Sequence, residues 1–293
     1  MRASVFLQRF TPPRGAPGLL QLSPRLLWVH GLLCLACALI VFPLFWMLST
    51  AVKPPQEIFA GTFRLSPERF TLENFRAAMT AVPIVRLFVN SLVVAFGVTV
   101  AQAVTSILAA YACALMPIPG RNVWFAFFVA TMMIPFQVTM IPNYLLVSKL
   151  ELLNTYTGLI VPQAVTGFGI FMLRQAFRSL PRSLVEASVL DGANSWQTLW
   201  RVVVPANRTA IAAVSILFFI NTWNQYLWPL LVATDRSMKT LPVGMQEFVN
   251  LEGGTMWGPL MAAASMAILP ALVAYLLAQR YILESFVTAG LKE

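Results

Sequence analysis

Apolar residues in this chain run in long unbroken stretches. Six of these are long enough to cross a hydrocarbon core about 30 Å thick, which takes about 20 residues of helix. They are Leu26 to Leu48, Leu87 to Met116, Val123 to Val147, Tyr156 to Phe177, Thr209 to Val232 and Gly258 to Leu283. The strands of a membrane barrel would alternate polar and apolar positions, and these runs do not. The pattern predicts an all-α integral membrane protein with six transmembrane helices. The first run follows Arg9, Arg14 and Arg25 as a signal peptide would, but it continues to Met47 and no A-x-A site closes it. It reads as an uncleaved span. Pro135 and Pro142 fall in the third run and Pro162 in the fourth, where neighbouring helices or water must satisfy the carbonyls that proline frees.

Composition removes the soluble alternatives. Apolar residues make up 58% of the 293 and charged ones 11%, against about 45–50% and 25% in soluble proteins. Mean hydropathy is +0.74. The net charge of +9 would suit nucleic acid in another chain; here it suits the cytoplasmic excess of basic residues that orients spans. With the N-terminus inside, 12 of the 20 basic residues and 4 of the 11 acidic ones lie inside, leaving 8 and 7 outside. The expectation is N-in and C-in, with residues 1–25 a cytoplasmic arm and 26–293 the transmembrane domain. Within the outer loop, Thr71 and Glu73 open a short helix whose Leu72, Phe75 and Met79 share a face.

The spans hold little that could do chemistry. Cys34, Cys37 and Cys113 lie in apolar runs with no ligand cluster beside them and read as small hydrophobes. His30 is the only histidine. No metal cluster, Ser-His-Asp set or phosphate-binding glycine loop occurs, so catalysis by this chain and a cofactor on it are not expected. A stand-alone secondary carrier usually needs intramembrane carboxylates or histidines, and none lies mid-span.

The inner loop, residues 178–207, is the informative segment. It reads as two short helices. Pro181 starts the first, and Gly192 suits the left-handed position that ends it. Asn194 or Ser195 caps the second, which carries Trp196, Leu199, Trp200 and Val203 on one side before Pro205 stops it. Such a hairpin shows more apolar surface than water tolerates.

Glu186-Ala187-Ser188, Gly192 and Val202-Val203-Val204-Pro205 keep every spacing of the EAA loop, and the chain resembles the membrane permease subunits of ABC importers on those residues. Asn90-Ser91, Pro119-Gly120-Arg121, Trp223-Asn224-Gln225-Tyr226, Trp228-Pro229, Leu241-Pro242-Val243-Gly244 and Gln279-Arg280-Tyr281 resemble the carbohydrate branch, its maltose-type second permease. Ser188, Ser285 and Ala289-Gly290-Leu291-Lys292 depart from that family's pattern. The resemblance implies a bacterial inner-membrane subunit working with two ATPase subunits, a second permease and an extracytoplasmic solute-binding protein. ATP and Mg would then sit on the ATPase. It also implies that Glu186, Ala187, Ser188, Asp191, Gly192 and Pro205 form the ATPase-coupling site. Lipid is the remaining partner, and nucleic acid is not one. Asn221, Trp223, Asn224, Gln225, Tyr226 and Trp228 put rings and amides in the outer half of span five. They suit a sugar or polyol path, or else an aromatic belt with interhelical hydrogen bonds. A glycerol-phosphate cargo stays open.

Overall fold

The computed structural model describes residues 24–58, 69–250 and 254–290, without the side chains of 24–26, 250, 278 and 280–290. The N-terminal arm up to residue 23, Lys292 and the side chains of the tail motif at 280–290 lie outside the described residues. By its internal packing the chain divides after Met47. In the first unit the helix that begins at Pro24 exposes every described side chain from Leu27 to Phe45, and Phe42 and Trp46 lie ring to ring at 6.2 Å. Cys34 and Cys37 are separate exposed thiols.

The second unit, residues 48–293, is built around span two, a continuous helix over Ile84–Ala114. Span six is continuous over Trp257–Gly290. Spans three, four and five are interrupted, and proline marks the breaks in spans three and five. A proline lacks an N–H, and its ring crowds the carbonyl four residues earlier. Span three ends its first helix at Thr131, four before Pro135, and turns 92° into Phe136–Lys149. Pro142 stays inside that second helix. Span four bends 50° between Tyr156–Gln163 and Gly167–Arg178. Span two carries the acceptor-satisfying groups for this bend: Gln102 Nε2 donates to the Gln163 carbonyl and Thr105 Oγ1 to that of Ala164, both at 2.8 Å. Span five runs Arg208–Trp223, breaks, and resumes over Leu227–Val232; Gln225 in the break lies four before Pro229. The helical architecture accommodates six spans if each bent pair counts as one; the breaks in spans three and four agree with the prolines expected in those runs, and the break in span five was not anticipated. The non-helical exception among the described residues is a small antiparallel pair, Val249–Asn250 with Gly254–Thr255.

Three buried clusters join the spans. One, around Leu87, Phe219, Trp223 and Ala263, ties spans two, five and six. A second, around Tyr111, Leu173, Phe177 and Phe218, ties the opposite ends of spans two, four and five to Leu199 and Val203. A third collects Val94, Val98, Leu159 and Trp228. Span packing is close enough to require glycine at Gly169, where a Cβ would come within 2.3 Å of Ser106 Oγ and 2.4 Å of the Phe218 ring.

The outer-loop helix forms over Glu73–Ala81, with Thr71 Oγ1 accepting from the Glu73 N–H. Of the apolar residues sharing one face, Phe75 packs against the core. Leu72 and Met79 are exposed, whereas Asn74 and Ala78 are buried. The reason is polar: Asn74 Nδ2 donates to the carbonyls of Ala51 at 3.0 Å and Lys53 at 2.7 Å, where the first long helix ends.

Candidate functional site

The hairpin between spans four and five forms as two helical pieces with a designed turn. Pro181, with extended backbone, precedes Arg182–Leu190. Gly192 takes φ +80°. Its N–H reaches the Val189 carbonyl and the Ala193 N–H that of Ser188, both at 3.0 Å, the paired bonds of a Schellman stop. The open space around Gly192 means that backbone conformation, not crowding, selects glycine here. Asn194 then makes a reciprocal capping box with Gln197, its Oδ1 accepting from the Gln197 N–H at 2.9 Å. Ser188 Oγ donates to the Val185 carbonyl at 2.7 Å and so accepts from Thr198 Oγ1 at 3.0 Å, tying the two pieces together. The departure from alanine at Ser188 thus has its own buried partner.

The second piece differs from expectation in two ways. Leu199 and Val203 are buried in the inner core, while Trp196 and Trp200 face out, rings 5.6 Å apart. Nor does Pro205 stop the helix. A wider π turn over Leu199–Val203 absorbs the missing donor, the helix continues to Ala206, and an 82° bend leads into span five. Asn207 Nδ2 donates to the Val203 carbonyl at that bend. Glu186, Ala187, Asp191, Gly192 and Pro205 are exposed and Ser188 is buried. With Leu184, Val189, Leu190 (89% exposed) and Trp196 (62%), the hairpin presents an apolar face with Glu186 and Asp191 on its surface.

The span-five residues scatter rather than converge. Trp223 is buried, its Nε1 donating to the Ala267 carbonyl of span six at 3.0 Å, its ring between Phe219 and Phe88. Trp228 is 0% exposed and meets Phe136 edge-on at 6.3 Å. Both rings hold spans together. Asn221 and Asn224 are exposed, although Asn224 Nδ2 turns back to the Ile220 carbonyl. Tyr226 donates to Gln246 Oε1 at 2.6 Å, and Gln225 Oε1 is enclosed without a partner. The break therefore offers Asn221, Asn224, Gln225 and Tyr226 as neutral hydrogen-bonding groups, with the tryptophans behind them.

At the same end, residues the sequence marked without a role prove to be clamps. Asn90 Nδ2 donates to the carbonyls of Ser237 and Lys239, both at 2.9 Å, and its Oδ1 accepts from Tyr156 at 2.7 Å. Ser91 Oγ accepts from the Leu241 N–H. Glu247 pairs with Arg236 and Lys239. The Asp235 carboxyl is held below its ordinary range, chiefly by the Ser237 N–H it accepts. Among the described residues no group of three His, Cys, Asp or Glu side chains could hold a metal ion.

Residues 102–285 match the family described as binding-protein-dependent transport system inner membrane component. An sn-glycerol-3-phosphate transport system permease protein UgpE of Yersinia pestis bv. Antiqua (strain Antiqua) is 33% identical over 268 residues, covering 89% of this chain and 95% of that one. Its counterpart from Escherichia coli O1:K1 / APEC is 34% identical over 258 residues, covering 86% and 92%. A crystal structure of a bacterial ABC transporter involved in the import of the acidic polysaccharide alginate matches with a TM-score of 0.79 at 24% identity, covering 92% of this chain and 99% of that one. A second, of the alginate transporter in complex with alginate pentasaccharide-bound periplasmic protein, matches with a TM-score of 0.65 at 16% identity, covering 86% and 92%.

Proposed function

Because this chain belongs to the binding-protein-dependent transport system inner membrane components, we propose that it forms half of the translocation path of an ATP-driven sugar or polyol importer. In this reading the hairpin seats in a groove of an ATPase subunit as a helix-in-groove contact. ATP and Mg belong to that ATPase, which works as a pair; a second permease completes the path, and a solute-binding protein delivers cargo outside. Glu186 faces a basic group in the groove, and Gly192 aims the two helical pieces. Closure of the ATPases draws the hairpins together and switches the path between outward and inward access, a rigid-body change biased by a ligand that binds one state better.

The exposed apolar hairpin face on an internally hydrogen-bonded frame carries this reading. Glu186→Lys and Gly192→Leu should leave the chain in the membrane with its second permease while uptake driven by ATP is lost. Normal uptake by both variants would overturn the docking assignment.

Neutral amides and a phenol at the break of span five support an uncharged polyhydroxylated cargo. The similarity to glycerol-phosphate permeases supports a phosphorylated polyol as the second reading. Thermal shift of the associated binding protein with maltose and with sn-glycerol-3-phosphate separates the two.

A further inference from the structure

The junction of spans two, three and four holds a buried charge. Arg174 is 5% exposed, the one buried arginine among the described residues. It lies in the helix Gly167–Arg178, which leads into the hairpin. Its Nε donates to the Cys113 carbonyl at 3.2 Å and its Nη2 to Asn122 Oδ1 at 3.0 Å. Its guanidinium carbon sits 3.7 Å from the centre of the Phe125 ring. Phe125 in turn stacks at 6.1 Å on Phe171, one turn before Arg174 on the same helix.

Each partner is neutral, directional and on a different helix from the arginine. The Cys113 carbonyl is available because Pro117, four residues on, has no N–H to give it. It also sits at the end of span two, where the helix dipole favours a cation. Asn122 and Phe125 are on the first helix of span three. The hairpin's second piece packs Leu199 and Val203 into an apolar core with spans two, four and five that has no member from span three. Sliding an apolar contact costs little until a gap opens. Sliding a buried charge off its acceptors leaves it unsatisfied, which costs several kcal/mol on general grounds.

We propose that Arg174 is a positioning residue that keys the inner ends of spans two and three to the helix feeding the hairpin, so that the hairpin and both spans move as one body. It rests on the importer reading above. A lysine has neither the planar face for Phe125 nor the two-sided donors for Cys113 and Asn122, so it does not replace the arginine.

Paired spin labels test this without knowledge of the cargo. The full chain carries alanine at Cys34, Cys37 and Cys113, with Ser183→Cys on the hairpin and Phe127→Cys on span three. It is assembled with its ATPase and second permease in lipid and measured with and without a non-hydrolysable ATP analogue and Mg. The distance between labels should be the same in both states to within about 2 Å, as expected of a rigid packed unit. In Arg174→Gln, Arg174→Lys and Asn122→Ala the analogue should shift or broaden it by about 5 Å, the scale of one element stepping past another. A distance in the parent chain that itself changes by that amount, or variants that match the parent in both states, overturns the proposal. If Arg174→Gln does not assemble, Asn122→Ala, a change at an exposed side chain, decides. A parent chain that never assembles with an ATPase counts against the importer reading instead.

Discussion

The hairpin and the outer half of span five both carry the residues most recognisable in the sequence, and they use them in opposite ways. Several of the hairpin's bonds close within about ten residues: Gly192 and Ala193 on Val189 and Ser188, Asn194 on Gln197, Ser188 on Thr198; its Ser195 also pairs with Tyr111 of span two. Its tryptophans face outward. At the outer end the tryptophans face inward, and polar groups are satisfied from far away in sequence. Asn90 reaches Ser237 and Lys239, and Trp223 reaches Ala267. A segment that is locally complete keeps its shape while its partner moves. A segment completed by distant residues holds the bundle together. The permease's signature residues are therefore surface at one end and scaffold at the other.

The largest expected effect breaks this contrast at Trp228. Trp228→Ala should cost about 3–5 kcal/mol, the usual range for emptying a buried aromatic site, read as a lower unfolding temperature of the purified chain. Trp228→Phe should cost much less, because it keeps most of the volume and removes an indole N–H that has no partner. A Trp228→Ala chain of unchanged stability that no longer transports would place the ring in the path and undo the distinction.

Asn90→Leu comes next. It removes donors to two carbonyls and the acceptor of the Tyr156 hydroxyl. Leaving one such group enclosed and unpaired costs about 1–3 kcal/mol. The loss should appear first as faster hydrogen exchange in residues 234–241, with the hairpin unaffected. Equal loosening of both ends would mean that the hairpin is not locally complete.

What was legible follows the same division. Gly192, Asn194 and the Glu186-to-Pro205 spacing could be read because a left-handed turn and a cap are set by neighbours a few residues away. Span two could be read because an unbroken apolar run of that length has one outcome in a bilayer. Angles could not: Pro135 announces a break, but 92° depends on what packs beside it. The role of Asn74 in the outer helix was not legible, because its three-carbonyl site is completed only by the end of another helix. Arg174 looked like one more inner-face charge. Its burial follows from a carbonyl that Pro117 leaves open, a signal visible as Cys113 and Pro117 at a spacing of four. Trp223 and Trp228 show that residue type alone does not separate a path-lining ring from a packed one.

The smallest expected effect lies in the hairpin, and it sharpens the contrast most. Ser188 Oγ gives its proton to Val185 and receives one from Thr198, which is 2% exposed. Ser188→Ala matches the alanine of the EAA pattern this loop resembles, yet it strands the Thr198 hydroxyl. A stranded buried hydroxyl costs about 1 kcal/mol or somewhat more. Removing both hydroxyls as Ser188→Ala with Thr198→Val should restore most of that loss, because no donor is then left unpaired. Hydrogen exchange across residues 182–206 is the readout, since the change should stay inside the hairpin while residues 234–241 exchange as before. Additive single costs would show that the two hydroxyls do not depend on each other. Recovery in the double variant would show a hairpin stabilised by its own paired groups, which is what the proposed seating of this hairpin in an ATPase groove requires.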